Sequence, residues 1–299
     1  MTSRRSVQGI LAVVLALVAA SGAGADPSMD PRAQCGADAV AAGTICLDRY
    51  EASAWRVPDA TTTNTGLVTK IEQGTATVGD LVAGGATQRG VIGDDYAPCT
   101  DNGQNCTNDI YAVSLPSVVP SAFVTWFQAH EACANSGKRL ATNAEWQIGA
   151  NGSPDPGPDN GTTDCNTARG AASLTGARSS CVSARGASDM VGNLAEWTAD
   201  WVPLSTACPG WGRFSDDSMC LAGASLTEAG PGALVRGGGF FGGSVNGPLT
   251  VLGTVAPTRS EDLVGFRCVH NLPEPGRFAQ LVGVIAVAAL ARVRRSASS

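Results

Sequence analysis

The sequence predicts a loop-rich, disulfide-bonded α+β domain, and three observations lead there. Of 299 residues, 37 are glycine while only 15% are charged, a balance that favours turns and loops over a helical bundle. All ten cysteines lie between two apolar terminal segments, and an even count in an exported chain reads as a disulfide framework. Helical periodicity is confined to two short segments, with brief strand-like runs elsewhere.

The ends read as processing signals. Arg4 and Arg5 precede the apolar run Ile10–Ala20, and Ala23-Gly24-Ala25 fits a small-x-small cleavage site. Residues 1–25 are therefore read as a secretory signal peptide, cleaved before Asp26. At the far end, Pro273-Glu274-Pro275 leads into the apolar run Phe278–Ala291, then Arg292, Arg294 and Arg295. That run is shorter than the roughly 18 residues of a stable membrane span. The order of the three parts resembles the PEP-CTERM sorting tail of Gram-negative bacteria. The resemblance implies an exosortase-type processing enzyme as a partner and a place in the cell envelope or extracellular matrix. The chain divides accordingly into 1–25, a domain over 35–271, and a tail over 272–299. The lysines are Lys70 and Lys138 alone and the net charge is −6, so there is no basic patch and nucleic acid is not an expected partner.

Cys35 and Cys46 bracket a small-residue segment leading into Ile45–Ala52, a strand-like start with a charged pair. Residues 57–112 are rich in Thr, Gly, Asp and Asn and read as an insertion over the surface, with Cys99 and Cys106 enclosing a loop tip. A helix follows, capped by Ser121, with Phe123, Trp126, Phe127, His130 and Cys133 or Ala134 as its apolar stripe. Gly137 ends it. His130 reads as a packed histidine. Thr142-Asn143-Ala144-Glu145 is a capping box that starts a second, short helix. Residues 151–188 are loop-like and hold Cys165 and Cys181, and a later loop holds Cys208 and Cys220. Leu234–Phe241 is a strand running into a Gly-rich bend. No Lys-Ser/Thr follows the glycines, so the bend is not a phosphate loop. The last strand is Val264–Val269.

Between these stands Asp189-Met190-Val191-Gly192-Asn193-Leu194-Ala195-Glu196-Trp197, running on to Trp201. Two acids flank a Gly-Asn turn, and two tryptophans follow. Such a turn can aim carboxylates and backbone carbonyls at one point, as a hard cation requires. A packed turn with two solvated acids is the alternative.

Five ordered blocks resemble the formylglycine-generating enzyme family, the sulfatase-modifying factor domains. They are Cys46–Glu51; Val124-Thr125-Trp126-Phe127 to Cys133; Gly137–Trp146; Asp189–Trp201; and Arg236-Gly237-Gly238 with Gly265-Phe266-Arg267-Cys268. The resemblance covers roughly 45–271 and implies a C-type-lectin-like fold. It also implies calcium bound by Asp189, the Gly192 and Leu194 carbonyls, and Glu196. A second calcium site would fall near Asn166 and Thr167, but no later acidic ligand is recognisable in Leu174–Ser180. A Cys133–Cys268 bridge is implied too. The other cysteines sort most simply into neighbours, Cys35–Cys46, Cys99–Cys106, Cys165–Cys181 and Cys208–Cys220.

Active members of that family hold copper with two cysteines after the Arg/Lys-Gly-Gly strand, and those positions here are Gly242 and Gly247. A second family bridge is also missing, with Ala150 and Leu252 at its positions. Copper is therefore not expected, nor is formylglycine generation, because glycine offers no thiolate. The expected function is a non-catalytic, calcium-stabilised module that binds a surface polysaccharide or a secreted protein. The alternative is an oxidoreductase with relocated residues, for which Arg236, Arg267 and Glu51 are the candidates.

Overall fold

The computed structural model describes residues 35–93, 95–99, 102–155, 159–225 and 230–272. The expected signal peptide and, apart from Leu272, the sorting tail lie outside them. The described elements run β1 (Ala39–Ala42), β2 (Ile45–Asp48), β3 (Ala52–Arg56), α1 (Thr65–Glu72), α2 (Val78–Ala83), β4 (Thr87–Arg89) and β5 (Ile110–Ser114). They continue with α3 (Trp126–Asn135), β6 (Arg139–Leu140), α4 (Asn143–Gly149), β7 (Ala195–Pro203), β8 (Met219–Cys220) and β9 (Pro231–Arg236). The last are β10 (Val251–Val255), β11 (Val264–Phe266) and β12 (Cys268–Asn271).

Short strands build three small sheets, in the orders β1-β2-β12-β6, β11-β7-β9-β10-β8 and β4-β3-β5. The run read as one last strand is two. Phe266 ends a strand parallel to β7, and Cys268 begins one antiparallel to β2 and β6. Arg267 sits at the junction between sheets, so its side chain points into the layer between them rather than along either ladder.

The principal core joins α3 to the five-stranded sheet through Ala129, Ala132, Cys133, Trp197, Val235 and Phe266. Burying an aromatic pair of this kind contributes several kcal/mol, about 25 cal/mol per Å² of apolar surface. The first helix begins later than the sequence predicts. Thr125, not Ser121, is its N-cap, in a reciprocal capping box with Gln128. The Ser121 hydroxyl instead accepts from the Ala54 amide and donates to the Arg89 carbonyl. This start rotates the buried stripe to Gln128, Ala129, Ala132 and Cys133. His130 is consequently exposed, stacked on Trp126 at 5.1 Å, rather than packed inside. The second helix starts as its capping box dictates, with Thr142 as N-cap and Glu145 at the third position.

Residues 57–112 are not a bare surface insertion. They carry α1, α2 and β4 and enclose a second core of Trp55, Leu67, Ile71, Leu81, Tyr111 and Val113. The Thr77–Asp80 capping box that starts α2 is complete. With Asp in place of Glu and one buried Leu81 behind it, the box leaves a faint sequence signal.

Five disulfides staple these layers: Cys35–Cys46, Cys99–Cys106, Cys133–Cys268, Cys165–Cys181 and Cys208–Cys220. Only Cys133–Cys268 joins distant elements, tying α3 to β12 across 135 residues. A bridged framework of this density belongs to an oxidising compartment, extracellular or periplasmic. Among the described residues no helix is long and apolar enough to cross a membrane.

Candidate functional site

The turn before β7 is built from left-handed residues. Asp189, Gly192 and Asn193 have φ of 58°, 72° and 58°. Gly192 is required twice over, because a Cβ there would stand 2.5 Å from the Asn166 carbonyl oxygen. Asn tolerates the left-handed region and offers an amide at both ends. Here the buried Asn193 accepts from the Ser173 amide at 2.6 Å and from Asn166 Nδ2 at 3.0 Å, and donates to Glu51. The turn thus holds Glu51, whose other oxygen accepts from the Leu194 amide at 2.8 Å.

Glu196, on β7, faces Arg267. The guanidinium donates through Nε at 2.8 and 2.9 Å and through Nη2 at 2.7 Å. Trp146 Nε1 donates to the same carboxylate at 2.6 Å. The remaining Arg267 donors reach the Asp48 and Ser188 carbonyls, each at 2.9 Å. Arg267 is 0% exposed and Glu196 1%, so the pair is a desolvated, bidentate ion pair with its donors satisfied. Asp189 lies nearby, one oxygen accepting from the Gly176 amide at 2.7 Å. Burial pushes the Asp189 carboxyl up to about 6. Burial, then the charges of Asp189 and Glu196, push Glu51 well above the ordinary range. A second buried triad stands behind, where Lys138 Nζ donates to Asp38 at 2.7 Å and Asp48 at 2.6 Å. Burial raises Asp48 to about 6 as well.

Of the residues read as a calcium site, Asp189 and Glu196 lie close enough for their charges to interact, with Glu51 and Arg267 beside them. Three acids, Glu51, Asp189 and Glu196, surround one guanidinium, so full ionisation leaves two negative charges that a divalent ion would balance. The donors fit less well, since both Glu196 oxygens already accept hydrogen bonds and an ion would share them with Arg267. Near Gly192, Asn166 Oδ1 and Thr167 Oγ1 are buried acceptors with no hydrogen-bond partner.

Of the residues weighed for relocated catalysis, Glu51 and Arg267 belong to this cluster and are 0% exposed. Arg236, opposite Glu196 in the β7–β9 register, stacks 4.8 Å over Trp146 and donates to the Thr250 carbonyl at 2.7 Å rather than to an acid of the cluster. Burial lowers it to about 10.

The loop after β9 is closed around glycine. Gly242 has φ 128°, and a Cβ there would meet the Asn246 amide at 2.9 Å. A Cβ at Gly247 would stand 1.9 Å from Asp217 Oδ1. All ten cysteines are bridged elsewhere, so no thiol is free. Asn193, Lys138, Asp48 and Asp217 were missed as site residues. Only Asn193 carried a signal, the Gly-Asn pair that marks a left-handed turn.

A family model, the sulfatase-modifying factor enzyme 1-like domain, matches residues 95–272. The chain belongs to that family. Its fold is accordingly the mixed, loop-rich, C-type-lectin-like one of the formylglycine-generating enzyme type. Among solved structures it is similar to the Major Tropism Determinant I1 variant, with 18% identity and a TM-score of 0.43 over 78% of this chain and 51% of that one. It is also similar to PvdO from Pseudomonas aeruginosa, with 19% identity and a TM-score of 0.41 over 76% and 80%. CarF aligns at 16% identity and 0.36 over 77% and 87%. The chain spans about half the length of the Major Tropism Determinant structures it matches. No curated protein matches the sequence.

Proposed function

We propose that this sulfatase-modifying factor domain is an exported, non-catalytic binding module of a Gram-negative cell envelope or extracellular matrix. The observation that carries the reading is the loop after β9. Glycine stands at both positions of the expected thiolate pair, neighbouring side chains fill the space a cysteine would need, and every cysteine is bridged. Oxidised cysteine neither ligates copper well nor attacks a substrate. The loop also presents apolar surface. Phe241 is 61% exposed at its start, and Trp211 donates to the Leu249 carbonyl near its end while supporting the exposed Phe214 ring at 6.2 Å. Rings displayed on a loop held by a rigid scaffold suit recognition of a surface polysaccharide or secreted protein. The alternative oxidoreductase has less support, because Glu51 and Arg267 are sealed from any substrate.

Calcium at Asp189, Gly192, Leu194 and Glu196 is part of the proposal, supported by the charge excess of the buried cluster. If the ion is bound by the native state alone, calcium raises the melting temperature of the chelated protein, and Asp189→Asn removes most of the rise. Equal curves with and without calcium sink that part. The principal test incubates copper-treated protein with a sulfatase-motif peptide under oxygen and reads the mass change from cysteine to aldehyde. No turnover above a protein-free control is expected, and turnover overturns the reading. Retention of the host's polysaccharide on immobilised protein, reduced by Phe241→Ala, supports the binding role.

A further inference from the structure

Beyond the binding role, a second group of acids stands beside the loop after β9. Asp155, Asp216 and Asp217 each bring a carboxylate oxygen within 4.8 Å of the others. Oxygens bound to one calcium at about 2.4 Å can stand at most about 5 Å apart, so three of them at this spacing can share one ion. Asp155 and Asp216 are exposed and by themselves would be an ordinary acidic patch.

Asp217 is different. It is 2% exposed, and its Oδ1 is buried with no hydrogen-bond partner, while the Leu249 amide donates to Oδ2 at 2.7 Å. An unmatched carboxylate oxygen costs its full desolvation unless a cation or proton meets it. The charge of Arg236 acts on it from nearby. The two terminal nitrogens of Arg236 are committed to the Leu249 and Thr250 carbonyls and to Gln147, its buried Nε has no hydrogen-bond partner, and no hydrogen bond joins it to Asp217. Burial pushes the Asp217 carboxyl up, and the charges of Asp155 and Asp216 push the same way. The backbone makes room for this carboxylate, since Gly247 leaves free the space that any larger residue's Cβ would take 1.9 Å from Oδ1.

We propose that Asp155, Asp216 and Asp217 hold a hard divalent cation, of the calcium or manganese kind, beside Gly247. Three carboxylates with no nitrogen or sulfur donor select such an ion over copper or zinc. The two exposed aspartates leave the outer coordination positions open to water. This site is separate from the Asp189–Glu196 cluster and does not depend on it.

The test uses manganese alone, titrated into chelator-stripped full-length protein, with free ion followed by electron paramagnetic resonance. Wild type and Asp189→Asn are expected to show the same saturable class of site. In Asp155→Asn/Asp216→Asn its affinity falls at least about tenfold, as loss of metal partners does. Both residues are exposed, so the fold is kept, and equal melting temperatures in chelator check this. Gly247→Ala is a second disruptor that alters no ligand and is expected to weaken binding equally by displacing Asp217. No saturable binding below about 1 mM in wild type, the weak end for calcium modules, overturns the proposal. So does a fall of less than tenfold in the double variant.

Discussion

Two of this domain's acidic clusters differ in how their hydrogen-bonding groups are met. Around Arg267 the donors are matched, with Glu196, two backbone carbonyls and Trp146 closing a network with no exposure. Around Asp217 a buried oxygen has no partner, two like charges stand within reach, and the Arg236 guanidinium turns its terminal nitrogens to backbone carbonyls and Gln147. A satisfied network of buried charge specifies which strands meet. An unsatisfied one in a loop bordered by exposed rings is where a ligand would find work. The difference teaches that acids in a sequence cannot be ranked for function by their number or spacing. What decides is whether the fold supplies their partners.

The comparison breaks most visibly at Arg267. Arg267→Met leaves Glu196 buried and unpaired, and the expected loss is about 3–5 kcal/mol in chemical unfolding. Arg267→Lys recovers little, because a point charge cannot replace the bidentate fork. A loss under about 1 kcal/mol would mean the pair is not desolvated as described. The Cys133–Cys268 bridge clamps the same region, and its paired replacement by alanine is expected to cost about 2–5 kcal/mol. A peptide map of unreduced protein checks the bridge itself, and a free thiol at Cys133 contradicts it.

A pH series sharpens the comparison. Asp48, beside Lys138, has its carboxyl raised from 3.8 to about 6 by burial. The fold therefore holds this proton more tightly than the unfolded chain. The stability it lends is complete below 3.8, falls as pH rises toward about 6, and is level beyond that. Asp189 and Glu51, raised the same way, add to that course. Melting temperature in chelator should therefore fall over this range, and Asp48→Asn should remove only the share that Asp48 contributes. The smallest effect belongs to the other cluster. Asp155→Asn/Asp216→Asn removes only exposed like charges, so in chelator its stability should lie within about 0.5 kcal/mol of wild type. A larger loss would place those aspartates in the structural network after all.

Much of the fold was legible because local chemistry announced it. The Thr142–Glu145 capping box fixed the start of α4, and the Gly-Gly pair after Arg236 marked the end of β9. The start of α3 was missed because Ser121 and Thr125 both satisfy the N-cap pattern. Thr125-Trp126-Phe127-Gln128 is the capping-box pattern that decides between them locally, and the contact of Ser121 with Ala54 confirms the choice. The last strand was read whole because Val264–Val269 alternates evenly, and nothing local reports that its two halves join different sheets. The Asp189–Glu196 turn was found through Gly-Asn, but its partners Glu51 and Arg267 lie 143 and 71 residues away from the atoms they hold. The Asp217 cluster was invisible, since its three acids sit in loops with no shared pattern.

The division of the last strand has a consequence for when the domain can fold. β11 pairs with β7, and after the single residue Arg267 β12 pairs with β2 and β6. The first sheet cannot close, nor Arg267 reach Glu196, until this segment has joined the chain already made. Contacts this distant in sequence make folding slow and late. The polypeptide therefore stays open in this region until residues 264–271 have been made. One short segment thus delivers a strand to each of two sheets, a buried cation and a cysteine.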